Sequence, residues 1–288
     1  MTDTPKLDVD LLQSWIGRSE TARDVVSLRL AQEFHATFDH DGEAPVEGEA
    51  APLAIHWCLA PAIAKTCLLG PDGHPARGGF LPPVPLPRRM WAGGRLHFED
   101  RLHVGDVVER RSRIADVVVK EGRTGVLCFV AVDHEISTER GLAITERHDI
   151  VYRALGPKGD VPGARAVPLP APPADATWHH DTKASPTLLF RYSALTFNGH
   201  RIHYDRSYVT EEEGYPGLVV HGPLQATLLL EYAASLRKSA PRGFTFRGLH
   251  PLFDFMPFRL CAKETDSGLA LWIQNGEGTR TMEAEARW

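Results

Sequence analysis

The stretch 217–236, GLVVHGPLQATLLLEYAASL, constrains this chain more than any other. After a Gly-Leu-Val-Val lead and a His-Gly pair it reads as a helix that is apolar on almost every face. Such a helix has no side to offer to water, so it has to be buried. Pro223 suits the first helical position, where a missing N–H costs nothing. Gly222 then presents a backbone N–H without an intrahelical acceptor at the positive end of the helix dipole. That is a place to polarise a carbonyl, although Gly217 and Gly222 also read as plain turn residues.

Just upstream, FRYSALTFNGHRIHYD (190–205) gathers Asn198, His200 and His203 within six positions, among the aromatics Phe190, Tyr192 and Phe197. Asn198 and His203 are five apart, too far for one strand face and poor for one helix face. A turn through Gly199 lets both point into one pocket. A neutral histidine can take a proton from water and return it, since its ordinary pKa lies near 6.5. An asparagine can hold that water but cannot take its proton. Each histidine also has a plain reading, as a surface residue or a hydrogen-bonded core residue. The density of polar groups, the apolar flanks and the helix start at His221-Gly222 favour the chemical one.

The remaining chain divides around these stretches. Residues 20–38 carry Val25, Leu28, Leu30, Phe34 and Phe38 at roughly helical spacing, with Ser19 as the expected N-cap. LAIHWCLAPAIA is expected as a second helix that Pro61 breaks or kinks. From Gly70 a Gly- and Pro-crowded segment should run irregularly over the surface. There Arg88, Arg89 and Trp91 suit phosphate and a flat ring, or equally a solvated basic pair and a packing indole. Polar–apolar alternation then predicts strands up to about residue 154. Residues 156–186 are rich in Pro, Ala and Gly and read as a linker, so 1–155 and 187–288 are the expected domains. The second half repeats the order of motif, helix and strands, and ATFDHD (36–41) echoes LTFNGH (195–200). In that echo Asp39 stands where Asn198 stands, and Ala44 stands where His203 would be. The first half is therefore expected to be a copy without the chemistry, in an α+β chain with antiparallel sheets.

Several function classes fall away. A net charge of −5 over 288 residues argues against nucleic-acid binding. No apolar run reaches membrane-spanning length, and MTDTPKLDVD lacks the regions of a secretory signal. The four scattered cysteines form no CxxC pair, so a cytoplasmic protein with reduced thiols is expected. His179-His180 and the HRIH run lack a third ligand, so no metal is expected. There is no Walker A, GxGxxG, HExxH or GxSxG sequence, and no cofactor is expected.

FRYSALTFNGHRIHYD followed by HGPLQATLLLEYA resembles the C-terminal half of MaoC-like hydratases, in particular the type 2 hydroxyacyl-thioester dehydratases. GPDGHPARGGFLPPVPLPRRMWAGG is similar to the N-terminal domain of the same proteins. The resemblance implies a double hot-dog fold, two long helices each wrapped by an antiparallel sheet. It also implies reversible hydration of a 2-enoyl-CoA or related acyl thioester, in a chain open to further homodimerisation. The wider family motif has an Asp, then Asn-Pro, then a His five residues after the Asp. Here those places hold Asn198, His200-Arg201 and His203, so the His is kept and the Asp is not. By that resemblance His203 is the acid/base, Asn198 positions water, and Gly222 polarises the thioester carbonyl. Asp205 or Glu231 is the alternative source of a carboxylate.

Relatives with this N-terminal half are similar to hydratases of branched dicarboxylic CoA esters, such as 3-methylfumaryl-CoA (mesaconyl-C4-CoA) and itaconyl-CoA. A second carboxylate calls for arginine. Arg191 and Arg201 flank the motif, Arg88 and Arg89 could serve that carboxylate or the CoA phosphates, and His221 borders the helix start. Two other readings stand beside the hydratase: a hot-dog thioesterase using Glu231, and a non-catalytic acyl-CoA-binding protein.

Overall fold

The computed structural model describes residues 7–122, 125–154 and 166–288. Its strands form one ten-stranded antiparallel sheet. The first half contributes β1 (Ser19–Val25), β2 (Arg88–Phe98), β3 (Val107–Gly122), β4 (Gly125–Thr138) and β5 (Gly141–Arg153). The second contributes β6 (Trp178–Lys183), β7 (Gly243–Gly248), β8 (Pro257–Thr265), β9 (Gly268–Asn275) and β10 (Arg280–Arg287). The order is β1-β3-β4-β5-β2-β7-β10-β9-β8-β6, so each half is a block of five and the blocks join at β2 and β7. That seam runs from Gly93 opposite Arg247 to His97 opposite Gly243. The strands pack so closely there that a Cβ on Gly93 would lie 2.5 Å from the Phe246 carbonyl oxygen, which explains a glycine inside a strand.

The long apolar helix is α4 (Gly222–Arg237), buried along most of its length, with Ser235 and Arg237 exposed in its last turn. Leu224, Ala226, Leu229, Leu230 and Ala233 have no measurable exposure and face the second-half strands and β2. After a short helix α1 (Val9–Gln13), short helices occur in both halves: α2 (Leu28–Thr37) and α3 (Pro186–Leu195), which pack against each other. They share their end chemistry. Ser27 and Ser185 are the N-caps, accepting from the amides of Leu30 and Leu188 at 3.2 and 3.1 Å. Thr37 and Thr196 each donate back to the carbonyl four residues earlier, at 2.7 and 2.8 Å. The faint sequence echo at 36–41 and 195–200 therefore falls on matching helix ends.

Beyond those ends the halves diverge, and three expectations are corrected. Residues 19–25 form an edge strand rather than a helix, with Ser27 instead of Ser19 as the cap. The expected second helix, LAIHWCLAPAIA, is only a four-residue 3₁₀ turn, Ile55–Cys58. Ala54 and Ala60 bracket it in the left-handed region (φ 62° and 47°), which a continuing right-handed helix forbids. Among the described residues a long central helix thus occurs in the second half alone. Thirdly, Trp178–Lys183, inside the stretch read as linker, is the edge strand β6 paired with β8. Residues 156–165 of that stretch lie outside the described residues. All four cysteines are free, and no helix among the described residues is long and apolar enough to cross a membrane.

Candidate active site

The motif after α3 turns sharply. Phe197 takes a positive φ of 50°, and Asn198 Oδ1 accepts from the His200 amide at 3.0 Å, closing a side-chain turn. A 3₁₀ turn, Arg201–His203, then carries His203 into the interior at 7% exposure. His203 Nδ1 lies 2.7 Å from the Val219 carbonyl, an acceptor only, so Nδ1 carries the proton and Nε2 keeps a lone pair. Burial pushes the His203 pKa down to about 4, and the bond to Val219 only partly opposes it. The ring is therefore a neutral base at pH 7.

His221, the N-cap of α4, stacks on His203 with centroids 3.6 Å apart and planes at 19°. It is fully buried, and its Nε2 is 2.9 Å from Ser193 Oγ. Gly222 begins the helix directly beside this pair, so its orphan N–H and the helix dipole stand next to the neutral base.

A loop from the first half covers the motif. Asp72 carbonyl accepts from the Arg201 amide at 2.9 Å, and a Cβ on Gly73 (φ 86°) would lie 1.9 Å from the Gly199 carbonyl oxygen. Only glycine permits that approach. The loop brings His74 over His200, with centroids 4.1 Å apart, and His74 Nδ1 bonds Asp72 Oδ2 at 3.0 Å. Burial opposes ionisation of Asp72, but the bond and charge of His74 outweigh it and hold the carboxyl well below the usual range. Asp72, His74 and His200 together bring three ligand-type atoms within 4.8 Å of one another, so they are the residues that could hold a cation.

A cavity of about 190 Å³ opens beside the motif, between the two halves. Asn198, Thr196, Tyr192 and Pro223 wall it on the side of the second half; His203 is not part of its lining. The first half contributes Trp57 and Trp91, and then a polar row from the inward face of β3, β4 and β5. In that row Ser112, His134 and Glu146 are direct cross-strand neighbours. Glu146 is buried. Burial would raise its pKa, but His148 and His56 hold it well below the usual carboxylate range. His148 Nε2 and Trp57 Nε1 both reach its Oε1, at 2.7 and 2.6 Å.

The sequence over residues 54–254 matches the family of hydroxyacyl-thioester dehydratase type 2. A mesaconyl-C(4)-CoA hydratase of Chloroflexus aurantiacus is 43% identical over 271 residues, covering 94% of this chain and 95% of the relative. The chain belongs to the hydroxyacyl-thioester dehydratase type 2 family. As a member it is a hydro-lyase that interconverts 3-hydroxyacyl and enoyl thioesters. Solved structures agree on the fold. HtdX of Mycobacterium tuberculosis superposes with a TM-score of 0.65 at 17% identity, over 93% of this chain and 98% of that one. A second protein of that organism, stated to have a double hotdog fold, gives 0.55 at 16% identity over 93% and 94%. The double hot-dog arrangement is thus shown, with no long helix among the described residues of the first half.

Within this family member the expected site residues separate into two groups. His203, His221 and Gly222 come together at the start of α4, and Asn198 lines the cavity with Pro223 of that helix. Trp91 lines the cavity, its ring 4.1 Å from that of His148, and lies in β2 rather than in a loop. The arginines are largely engaged elsewhere. Arg88 bonds Glu213 through Nε at 3.2 Å and through Nη2 to its carbonyl at 2.7 Å. Arg201 is forked onto Asp205 at 3.0 and 2.8 Å, which also occupies that carboxylate. Arg191 is exposed and reaches only the Ala36 carbonyl, at 3.4 Å. Arg89 pairs with Tyr152 and lies close enough to His74 and His200 to lower both. Glu231 is half-buried, with His40 Nε2 at 2.9 Å. The polar row of Arg110, His134, Glu146 and His148 belongs to no sequence motif. Its signal was available: polar residues at alternate positions that an inward strand face would fill with Val or Ile.

Proposed function

We propose that the chain hydrates a 2-enoyl-CoA reversibly, with His203 as the acid/base, Asn198 holding the water and Gly222 N–H polarising the thioester carbonyl. The observation that carries this reading is the pairing of a neutral His203, its Nε2 unprotonated, with the first N–H of α4. His203 Nε2 takes a proton from water as the oxygen adds to the β-carbon. Negative charge moves to the thioester oxygen, where the Gly222 N–H and the helix dipole stabilise it. The imidazolium then returns the proton to the α-carbon, and each step reverses in dehydration. Asn198 has its Oδ1 on the His200 amide, so its NH₂ is the group left to hold the water oxygen.

The substrate proposed is a short branched dicarboxylic ester such as 3-methylfumaryl-CoA, supported by the extent of likeness to the Chloroflexus hydratase and by the small, polar cavity. A cytosolic setting fits four free cysteines, and the outer strands β1 and β6 leave room for a homodimer. The test is absorbance at the enoyl-thioester band with crotonyl-CoA, 3-methylfumaryl-CoA and itaconyl-CoA, run beside a thiol-release assay. Loss of the band without free thiol is expected. Thiol release would replace the reading with a thioesterase, and binding without turnover would leave an acyl-CoA-binding protein.

A further inference from the structure

Hydrogen-bond donors are left over inside the cavity. Four of its side chains carry buried nitrogens without a hydrogen-bond partner among the described residues: His56 Nε2, Trp91 Nε1, Arg110 Nε and His134 Nε2. Glu146 accounts for one of them only. It takes the bonds from Trp57 and His148, and His56 Nε2 stands 3.5 Å from its Oε2, a charge contact rather than a good hydrogen bond. Trp91, Arg110 and His134 remain. An indole N–H and a guanidinium Nε–H can only donate. Buried polar groups in folded proteins are otherwise nearly all paired, so leftover donors facing one cavity point to a missing acceptor.

The kind of acceptor follows from the charge. Arg110 is fixed in place because its two Nη atoms donate to the carbonyls of Leu59 and Ala60, at 3.1 and 2.6 Å. Its positive charge therefore stays at the cavity wall, with Nε as the free donor, while the charge of Glu146 in the same lining is taken up by its bonds from Trp57 and His148. His134 has Ser112 Oγ 2.8 Å from Nδ1. If the serine donates, the ring proton sits on Nε2. Burial, then the neighbouring His148, hold His134 down at about 3, so it acts as a neutral donor. Trp91 is anchored between Trp57, Phe246 and His148 and cannot turn its N–H away without breaking those ring contacts. Trp91 and Arg110, the latter the cation, are two fixed donors, and His134 is the third with Ser112 donating to its Nδ1; together they suit a compact anion with several lone pairs.

We infer that this cavity reads the second carboxylate of a dicarboxylic acyl thioester, through Arg110 Nε, Trp91 Nε1 and His134 Nε2. The inference rests on the enoyl-thioester reading and adds the residues that select the acyl group. These are binding residues contributed by the half that lacks the central helix. Asn198 and Pro223 at the other end of the same cavity place that carboxylate next to the proposed reacting carbons. None of the arginines beside the motif is needed for it.

The test compares kcat/KM for 3-methylfumaryl-CoA with that for crotonyl-CoA, in the wild-type chain and in Trp91→Phe, His134→Leu and Arg110→Lys. Wild type is expected to favour the dicarboxylic ester by about a hundredfold, and Trp91→Phe and His134→Leu to lower that ratio about tenfold each, mainly through KM. Arg110→Lys loses the clamp on Leu59 and Ala60, so it counts only if circular dichroism matches wild type. Calorimetric binding of two saturated thioesters, methylsuccinyl-CoA and butyryl-CoA, reads the cavity without chemistry. At least tenfold tighter binding of methylsuccinyl-CoA is expected even if neither enoyl ester turns over, an outcome that would remove the hydratase reading alone. Equal binding of the two, or a ratio unmoved in folded Trp91→Phe and His134→Leu, would mean a water-filled polar cavity only and overturn the inference.

Discussion

The imidazole of His203 lies face to face with that of His221, ring centroids 3.6 Å apart, at the first turn of α4. Both rings are buried, and two imidazoliums that close would repel without water to screen them. Burial first, and then the neighbouring rings His203 and His200, depress the His221 pKa well below normal. Burial keeps His203 as a free base through the neutral range. His221 supplies a flat wall that fixes the ring plane, while the Val219 carbonyl fixes its tautomer.

Replacing His203 with alanine removes the acid/base whose Nδ1–H bond to Val219 leaves a lone pair on Nε2. We expect kcat to fall by about a thousandfold or more, within the range of lost general acid–base catalysis. Far-UV circular dichroism should match wild type, since the bond to Val219 is one contact in a well-packed core. Turnover within tenfold of wild type in such a folded variant would sink the assignment.

Asn198→Asp tests why an amide serves where the family motif has a carboxylate. The aspartate keeps the acceptor for the His200 amide. It also adds a negative charge near His200 and His203, which favours their protonated forms. Wild-type kcat/KM should fall only below about pH 4, the value to which burial brings His203. In the variant that acid limb should move up by about one unit. An unmoved limb would place Asn198 electrically apart from the reacting histidine.

Gly222→Pro isolates a single hydrogen. Proline is compatible with the first turn of a helix, and His221 before it is extended (ψ 137°), as a residue preceding proline must be. The helix should therefore survive while the N–H is lost. We expect a drop in kcat of about a hundredfold or more, comparable to loss of one oxyanion donor. Gly222→Ala keeps the N–H, and its Cβ would meet the Trp91 carbonyl at an ordinary 3.5 Å, so that variant should stay within about tenfold. Equal losses in both would show that bulk, not the N–H, matters at this position.

How far the sequence discloses this arrangement depends on whether a feature is local. The all-round apolar pattern of 222–237 dictates a buried helix wherever it occurs, and the strand alternation of the second half survives folding almost intact. Asn198 and His203 are five residues apart in one turn, and His203 is tied through Nδ1 to Val219, three residues before Gly222. Residues 19–25 mislead because Val25, Leu28 and Leu30 mimic helical spacing, whereas pairing with β3, some ninety residues away, makes the segment a strand. The missing first-half helix follows from two left-handed alanines that no propensity signals. The arginines near the motif attract attention by proximity, yet Glu213 and Asp205 occupy two of them. Arg110, His134 and Glu146 are far apart in the chain and converge only through strand register, so their joint cavity is visible only in three dimensions.

The buried neutral histidines also make stability depend on pH in a definite direction. His203 and His134 have folded pKa values of about 4 and 3, below the ordinary 6.5 of the unfolded chain. Between those values the unfolded chain binds more protons, so stability is full above about pH 6.5 and is lost as pH falls toward 4. Each such histidine contributes a slope of about 1.4 kcal/mol per pH unit inside that window. His40 works in the opposite sense. Burial alone would lower its pKa, but the bond and charge of Glu231 raise it, so its contribution is lost as pH rises. With at least two depressed histidines against one raised, the urea midpoint should fall from pH 7 to pH 5. His134→Leu should flatten that fall while leaving the neutral-pH fold intact. A midpoint that holds steady or rises on acidification would mean that these imidazoles are hydrated in solution and not held neutral by burial.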